Sequence, residues 1–375
     1  MSDIIKEITE KLFIWDKIKK ISASKPVILY GMGDGADKIL NICADKSIKI
    51  SGVFASDGFA RGNYFRGFKV LSLAETEELY KNFCILTAFA TREPEVIDRI
   101  YKLSEKYELY APNFPVYGGG DYPDYDFFAR NIGEINQAYT LLADNKSREV
   151  YINAINFMIS GDIKYLRIIQ TPKSEALDLL DLKNGLYYID AGAYDGDTIL
   201  ELNNYFAGKS AYINKITAFE PDKKNFAKLE KNIRENNLEK IADLYNIGVW
   251  SEKKPLIFEP KSGRGANLSA SGFKNPDIIC ADSINNILSD KINGETPILL
   301  KYDVEGAESE ALEGARFIIE KYAPDIIISV YHRTEDIFKI LLDINKINPG
   351  YDFYMRKHRY IPCWDLNLYA KSKYK

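Results

Sequence analysis

Short apolar runs alternate with amphipathic stretches along most of this chain, and the alternation falls into two blocks. In the first, PVILYG (26–31) reads as a buried strand ending at glycine, and ADKILNICAD (36–45) as the helix after it. The pair repeats in IKISGVFAS (48–56) with AETEELYKN (74–82), and in FCILTAF (83–89) with PEVIDRIYKLSEKY (94–107), a helix opened by Pro94. Strand–helix alternation of this kind predicts a parallel sheet covered by helices. Ahead of it, Ile5, Ile8, Leu12 and Ile18 recur at helical spacing among charges of both signs, which predicts one amphipathic helix packed on its own domain. FPVYGGGDYPDYD (114–126) concentrates Gly, Pro and Asp and reads as the exit from this block.

From Phe127 to about Leu182 helical periodicity dominates and predicts a connector, not another sheet. A second alternation starts at NGLYYIDAG (184–192). Its expected strands are 186–190, 215–221, 241–251, 255–260, 298–306, 324–332, 351–357 and 365–371. Its expected helices lie near 196–206, 222–236, 282–290, 305–322 and 334–346. The division is therefore 1–120, a Rossmann-like α/β domain; 121–183, a helical connector; and 184–375, a second α/β domain.

Composition narrows the class without choosing a function. With 375 residues, 46% hydrophobic and 28% charged, the chain can bury a large core. A formal charge of −4 with no single-sign block gives no footprint for nucleic acid. Cys43, Cys84, Cys280 and Cys363 are scattered, without metal-type spacing, as expected of reduced thiols in a cytoplasmic protein. No apolar run approaches the length of a membrane span.

The chemistry concentrates at strand ends of the second block, where open α/β sheets bind ligands. LYYIDAGAYDGDTIL (186–200) runs from a strand into a turn with Gly192 and Gly196, flanked by Asp190, Asp195 and Asp197. A pyrophosphate there would meet like charge, whereas a cofactor carrying an amine and a sulfonium would gain from it. S-adenosylmethionine (SAM) fits that description. Glu220, ending the next strand in ITAFEPD, is placed to accept two hydrogen bonds from a ribose diol; alone it would read as a helix-start acid. In ILLKYDVEGAESEALEGA, Asp303 ends a strand, and Glu305 and Glu308 open a helix, where capping is the competing role. Such carboxylates also admit Mg²⁺, although no spacing fixes a metal site.

Taken in order, YYIDAGAYDGDT, AFEPD, NIGVWS, KYDVEGAESEALEGA and ISVYHRTEDIFKI resemble the FkbM-type methyltransferase family from about Asn184 to Ala370. The resemblance implies a class I, Rossmann-like SAM-dependent fold whose seventh strand is antiparallel, and methyl transfer usually to oxygen, often on bacterial sugars or metabolites. It implies cofactor roles for Asp190, Gly192, Asp195, Gly196 and Glu220, with Asn246 and Asp282 near the adenine. It places Asp303, Glu305 and the Tyr331–His332 pair on the acceptor side. His332, one of two histidines, is the expected general base, with a structural histidine as the alternative and Asp303 as the competing base. Arg333 could orient an acidic group or cap a helix. The chain departs from the family outline around Arg356 and at Asn285, which leaves the acceptor open.

VILYGMGDGADKIL sets Gly31, Gly33 and Gly35 between strand and helix, as G-x-G-x-G-A instead of the dinucleotide fingerprint. It is similar to the nucleotide-sugar-binding domains of some sugar-modifying acetyltransferases, which implies a nucleotide-sugar site at these glycines; the alternative is a structural or dimerising Rossmann-like domain that binds nothing. The expected function is SAM-dependent O-methylation of a sugar, nucleotide-sugar or glycan acceptor, in a chain that could form a homo-oligomer. Two rivals stand beside it: an NAD(P)-linked nucleotide-sugar oxidoreductase using the first domain, and a non-catalytic pair of Rossmann-like binding modules.

Overall fold

The structure, a computed structural model, describes residues 4–56, 58–60, 62–113, 121–259, 267–268 and 277–374. Strands β1 (Val27–Tyr30), β2 (Gly52–Phe54), β3 (Tyr64–Phe65), β4 (Phe68–Leu71), β5 (Cys84–Thr87) and β6 (Glu108–Tyr110) build a first sheet in the order β3-β4-β2-β1-β5-β6. All its pairs are parallel except β3–β4. Every residue of β1 and β5 is buried, as a strand covered on both faces requires. The chain leaves β1 towards β2 on one side and lies beside β5 on the other, so the carboxyl ends of β1 and β5 form a topological switch point.

Five helices follow between Tyr125 and Leu180. The longest, Asn145–Ser160, starts where the Asp144 carboxylate accepts from the Ser147 N–H and ends at Gly161 in the left-handed conformation. The last part contains β7 (Leu186–Ala191), β8 (Ile213–Phe219), β9 (Ala242–Tyr245), β10 (Gly248–Val249), β11 (Lys254–Glu259), β12 (Asn267–Leu268), β13 (Asp277–Asp282), β14 (Ile298–Tyr302), β15 (Asp325–Ser329), β16 (Tyr351–Lys357) and β17 (Leu366–Ser372). Seven of them form a sheet in the order β16-β17-β15-β14-β7-β8-β9. Only β17, the last in the chain, runs antiparallel to both of its neighbours. This is the class I methyltransferase arrangement, and its switch point lies between β7 and β14.

Several expected boundaries shift for identifiable reasons. The expected strand 241–251 divides into β9 and β10, which join different sheets; β10 pairs with β13 in a four-stranded sheet, β10-β13-β11-β12. In that further sheet β11 answers to the expected strand 255–260, whereas β3, β4, β6, β12 and β13 carry too short an apolar pattern to be read from sequence. The expected helix 305–322 is two helices, Glu308–Glu313 and Arg316–Tyr322. Gly314 lies between them, and a Cβ there would sit 2.1 Å from the Trp250 carbonyl oxygen, so a glycine admits the neighbouring backbone. The single amphipathic helix expected at the start is also divided, into Ile4–Glu7 and Ile14–Ser22, with Ile8 and Ile18 buried but Leu12 only partly so. Residues 114–120 of the expected exit loop lie outside the described residues. Among the described residues, no helix is long and apolar enough to cross a membrane.

Candidate functional site

A cavity of about 230 Å³ opens at the switch point of the seven-stranded sheet. Its floor is the turn after β7. There the N–H groups of Gly192 and Ala193 both donate to the Phe219 carbonyl, at 3.0 and 2.9 Å, which holds the turn against β8. Gly192 has φ +83°, and a Cβ on it would lie 2.0 Å from the Asp303 carbonyl oxygen. The glycine therefore lets two strand ends meet, and the cavity forms beside that contact. Gly196 (φ +89°) caps the helix Asp197–Gly208 and is buried below the wall.

Asp190 does not face the cavity. It is fully buried, with Lys301 Nζ at 3.0 Å and Thr198 Oγ1 and Tyr188 Oη donating to it at 2.8 and 3.1 Å. Lys301 also donates to the Gly192 carbonyl at 2.8 Å. Asp190 thus positions Lys301 and Thr198, which line the cavity in its place. Asp195 is likewise absent from the lining and fixes the turn through its carbonyl, which accepts from Asn232 at 2.7 Å. The acid expected here is nevertheless present. Asp197, Glu201, Glu220, Asp303, Glu305 and Asp365 line the cavity against the cations Arg92, Lys173 and Lys301.

Glu220 stands where the sequence put it, at the end of β8 and 6% exposed. Its two oxygens accept from the N–H groups of Tyr194 (2.9 Å) and Asp222 (2.8 Å), so the carboxylate plane is fixed and each oxygen keeps further acceptor capacity. Burial lifts its pKa to about 7. Asn246 and Asp282, expected beside an adenine, are not on the wall. The Asn246 amide donates to the carbonyls of Glu220 and Pro221, and Asp282 accepts from the Ser283 N–H and from Asn286. Their neighbours Ile247, Gly248 and Val249, with Phe219, supply an apolar wall instead.

On the opposite side, Asp303 continues β14, its N–H donating to the Ala191 carbonyl at 2.9 Å. Its Oδ1 accepts from Ser329 (2.8 Å) and Tyr331 (3.1 Å). Glu305 follows at φ +54°, a conformation that costs a non-glycine residue about 1–2 kcal/mol and marks constrained functional backbone. Burial raises its pKa to about 7 although His332 works the other way. Glu308 is buried behind them and accepts from the N–H groups of Val304 and Gly306, both at 3.0 Å, so its role is structural.

His332 corrects the sequence expectation. It is fully buried and does not line the cavity. Nδ1 lies 2.8 Å from Glu308, and Nε2 lies 3.4 and 3.5 Å from Asp303 and Glu305. Burial opposes its charge, but these carboxylates prevail and carry its pKa up to about 10. Enclosed by Asp303, Glu305 and Glu308 and absent from the cavity wall, His332 is placed to position these carboxylates. Asp303, Glu308 and His332 bring ligand-type atoms within 4.8 Å of one another. Both Glu308 oxygens already accept from backbone N–H groups.

Sequence reasoning missed the loop between β16 and β17. His358 is buried with Nδ1 2.8 Å from the Thr171 carbonyl and Nε2 2.7 Å from Tyr369 Oη, and it lines the cavity with Tyr360, Trp364 and Asp365. Burial holds its pKa below the usual value, so it is neutral. Arg356 is not at the site: it is buried against Asp144 and Ser147 of the connector. Gly31 and Gly35 serve packing first, since Cβ atoms there would lie 2.4 Å from the Phe89 ring and 2.3 Å from the Ala88 carbonyl oxygen.

Residues 190–361 match the family model described as the methyltransferase FkbM domain. No curated protein matches the chain. Among solved structures, the methyltransferase FkbM from Methylobacillus flagellatus KT is similar over 98% of this chain and 95% of its own, with a TM-score of 0.70 at 20% identity. An rRNA methylase from Streptococcus thermophilus covers 55% of this chain and 98% of its own, at 14% identity and TM-score 0.35. Precorrin-6y C5,15-methyltransferase from Geobacter metallireducens GS-15 covers 53% and 87%, at 12% identity and TM-score 0.33. Residues 190–361 thus resemble a methyltransferase FkbM domain in sequence, and the fold agrees.

Proposed function

From that resemblance as premise, we propose that the chain is an S-adenosylmethionine-dependent O-methyltransferase acting on a hydroxyl of a sugar or glycan precursor. One observation carries the reading: a single cavity at the switch point is lined by the diol-type acid Glu220 and, across from it, by Asp303 and Glu305. S-adenosylmethionine supplies a methyl group already activated on a sulfonium. Glu220 would hold its ribose, and Phe219, Ile247 and Val249 its adenine. The excess of carboxylates on the wall favours its positive charges.

The remaining chemistry belongs to the acceptor hydroxyl, which must give up a proton. Glu305, with a pKa near neutrality, is the general base in this reading, and the proton moves to its carboxylate. Asp303 orients the hydroxyl from a carboxylate fixed by Ser329 and Tyr331. Alignment for in-line displacement supplies the larger share of the rate, up to about 7–11 kcal/mol, and the base about 10²–10⁴-fold.

The test uses labelled SAM with a panel of sugars, nucleotide sugars and glycan fragments. Turnover on at least one is expected, with Glu305→Gln lowering it 100-fold or more while SAM affinity stays within about threefold. A wild-type chain that fails to bind SAM, or a Glu305→Gln chain that keeps full turnover, would overturn the reading or the base assignment respectively.

A further inference from the structure

Six carboxylates line the cavity at the switch point, and five have a cation beside them or a part in methyl transfer. Asp197 lies 3.3 Å from Arg92, and Glu201 lies 2.8 Å from Lys173. Glu220 answers to the ribose, and Asp303 and Glu305 to the reacting hydroxyl. Asp365, in the loop between β16 and β17, has no part in that scheme. It enters the cavity from the β17 side of Asp303, away from β8 and the cofactor's ribose.

Asp365 is tied to Asp303 across adjacent strand ends. Ser329, the last residue of β15, donates to Asp303 Oδ1 at 2.8 Å and lies 3.2 Å from Asn367 Oδ1. Asn367 faces Ser329 in the β15–β17 register, and its amide nitrogen donates to Asp365 Oδ1 at 2.9 Å. The amide therefore turns its oxygen to the hydroxyl and its nitrogen to the carboxylate. That sets Asp365 in one polar row with Asp303, and its two oxygens keep acceptor capacity. Asp365 is only partly buried, so a ligand in the cavity can reach it.

The backbone around this carboxylate is held in place. The His358 N–H donates to the Asp365 carbonyl at 3.0 Å, and Lys357 donates to the Tyr360 carbonyl at 2.7 Å. Thr91, from the first sheet's domain, exchanges N–H···O bonds with Ile361 at 2.8 and 3.0 Å. Asp365 itself has φ +59°, a left-handed conformation that aspartate tolerates better than most residues. A group fixed this way loses little freedom when it binds a partner.

We propose that Asp365 is a specificity-determining residue for the acceptor: its carboxylate accepts from a second hydroxyl of the molecule whose first hydroxyl is methylated at Asp303 and Glu305. The proposal rests on the methyl-transfer reading and adds the acceptor's class, a ring that carries more than one free hydroxyl. Trp364, the preceding residue, is partly exposed and, with the Tyr360 ring 5.8 Å away, offers that ring apolar surface. Both aromatic residues also line a second cavity, of about 580 Å³, at the switch point of the N-terminal sheet, so they stand between the two. Charge favours a hydroxyl here over an ammonium. Burial opposes ionisation of Asp365, but Lys173 leads the neighbours that outweigh it and hold its pKa below the usual value. A further cation would meet like charge at this end of the cavity, whereas a neutral donor would not.

The test is steady-state kinetics on the full chain with labelled SAM. The acceptors are the methyl glycosides of glucose, galactose, mannose and rhamnose, and UDP-glucose. Whichever is turned over is followed by its monodeoxy and amino-deoxy derivatives. One monodeoxy derivative should raise the wild-type KM about tenfold or more, because a site built to bind a hydroxyl rejects its absence. Asp365→Asn, which keeps a residue tolerant of the left-handed turn, should raise KM for the parent acceptor by a similar factor. It should leave KM for that deoxy derivative unchanged and alter SAM affinity less than about twofold. A loop merely disturbed by the substitution would penalise parent and deoxy acceptors alike, and that result overturns the proposal. So does a wild-type KM indifferent to every deoxy position, or one about tenfold lower for an amino derivative than for the parent; both are read without any variant. A chain that binds SAM but methylates none of these acceptors overturns the acceptor class alone. Failure to bind SAM overturns the methyl-transfer reading, and the proposal falls with it.

Discussion

Individual residues carry the site's electrostatics, and Glu220 shows how. Its pKa near 7 arises from burial, which the Tyr194 and Asp222 N–H groups offset only in part. A ribose diol donates to the carboxylate and not to the neutral acid, so ligand binding favours the ionised form. Affinity should therefore rise with pH through 7 and level off near 8. For one linked group of this pKa, SAM should bind about tenfold more weakly at pH 6 than at pH 8. Glu220→Gln should flatten the profile and lower affinity overall, whereas Glu305→Gln should leave the slope in place. Isothermal titration at three pH values checks this, and a wild-type affinity that falls as pH rises would reverse the assignment. At this scale the sequence was informative about which strand ends carry acid and less so about where each side chain points. Asp190 and His332 looked like ligands because they sit in the right motifs. Burial and the partners Lys301 and Glu308, remote in sequence, turn them into supports.

Elements place those residues, and the turn between β7 and the helix Asp197–Gly208 is the most constrained of them. Gly192 combines φ +83° with a carbonyl oxygen 2.0 Å from where a Cβ would go. Gly192→Ala must therefore strain the backbone and push Asp303 away, at a cost of about 2–4 kcal/mol. Gly133, in the helix Ile132–Leu141, has nothing within 4 Å of a Cβ and ordinary helical φ. Gly133→Ala should instead stabilise by about 0.4–1 kcal/mol. Urea unfolding of both variants tests the contrast; equal effects would mean the close approach at Gly192 is not maintained. Strongly periodic elements were readable from sequence because burial on both faces writes itself as unbroken apolar runs, as in VILY and LYYIDA. The two-residue strands β3, β10 and β12 have no room for a period, and the break at Gly314 depends on the Trp250 backbone, which no local pattern reveals.

In the whole molecule, the two sheets do not behave as independent beads. A single buried cluster runs from Ile4 and Ile28 through Phe157 of the connector to Phe353 and Ala370. The connector also covers the open edge of the large sheet: the Ala143 N–H donates to the Phe353 carbonyl, and Ser147 Oγ accepts from the Met355 N–H. Arg356, 3% exposed on β16, completes this seam with a two-pronged contact to Asp144. An edge strand left bare would be a template for aggregation, so the connector protects the fold as well as spacing its parts. Asp144→Ala would strand the guanidinium in a buried seam and remove the cap of the helix Asn145–Ser160, costing about 3–5 kcal/mol. Replacing both partners, as Asp144→Leu with Arg356→Met, should recover part of that loss because no uncompensated charge remains. If the seam couples the halves, chemical denaturation followed by fluorescence and by circular dichroism should give one coincident transition in the wild type. Asp144→Ala should lower its midpoint without splitting it; two resolved transitions in the wild type would mean the seam is only a contact. This scale was the least visible in the sequence, because Asp144 and Arg356 lie 212 positions apart and neither belongs to a motif. That coupling also bears on catalysis: it fixes the loop between β16 and β17, whose Tyr360 and Trp364 stand between the two cavities, so loosening the seam should raise KM for the acceptor before it affects SAM.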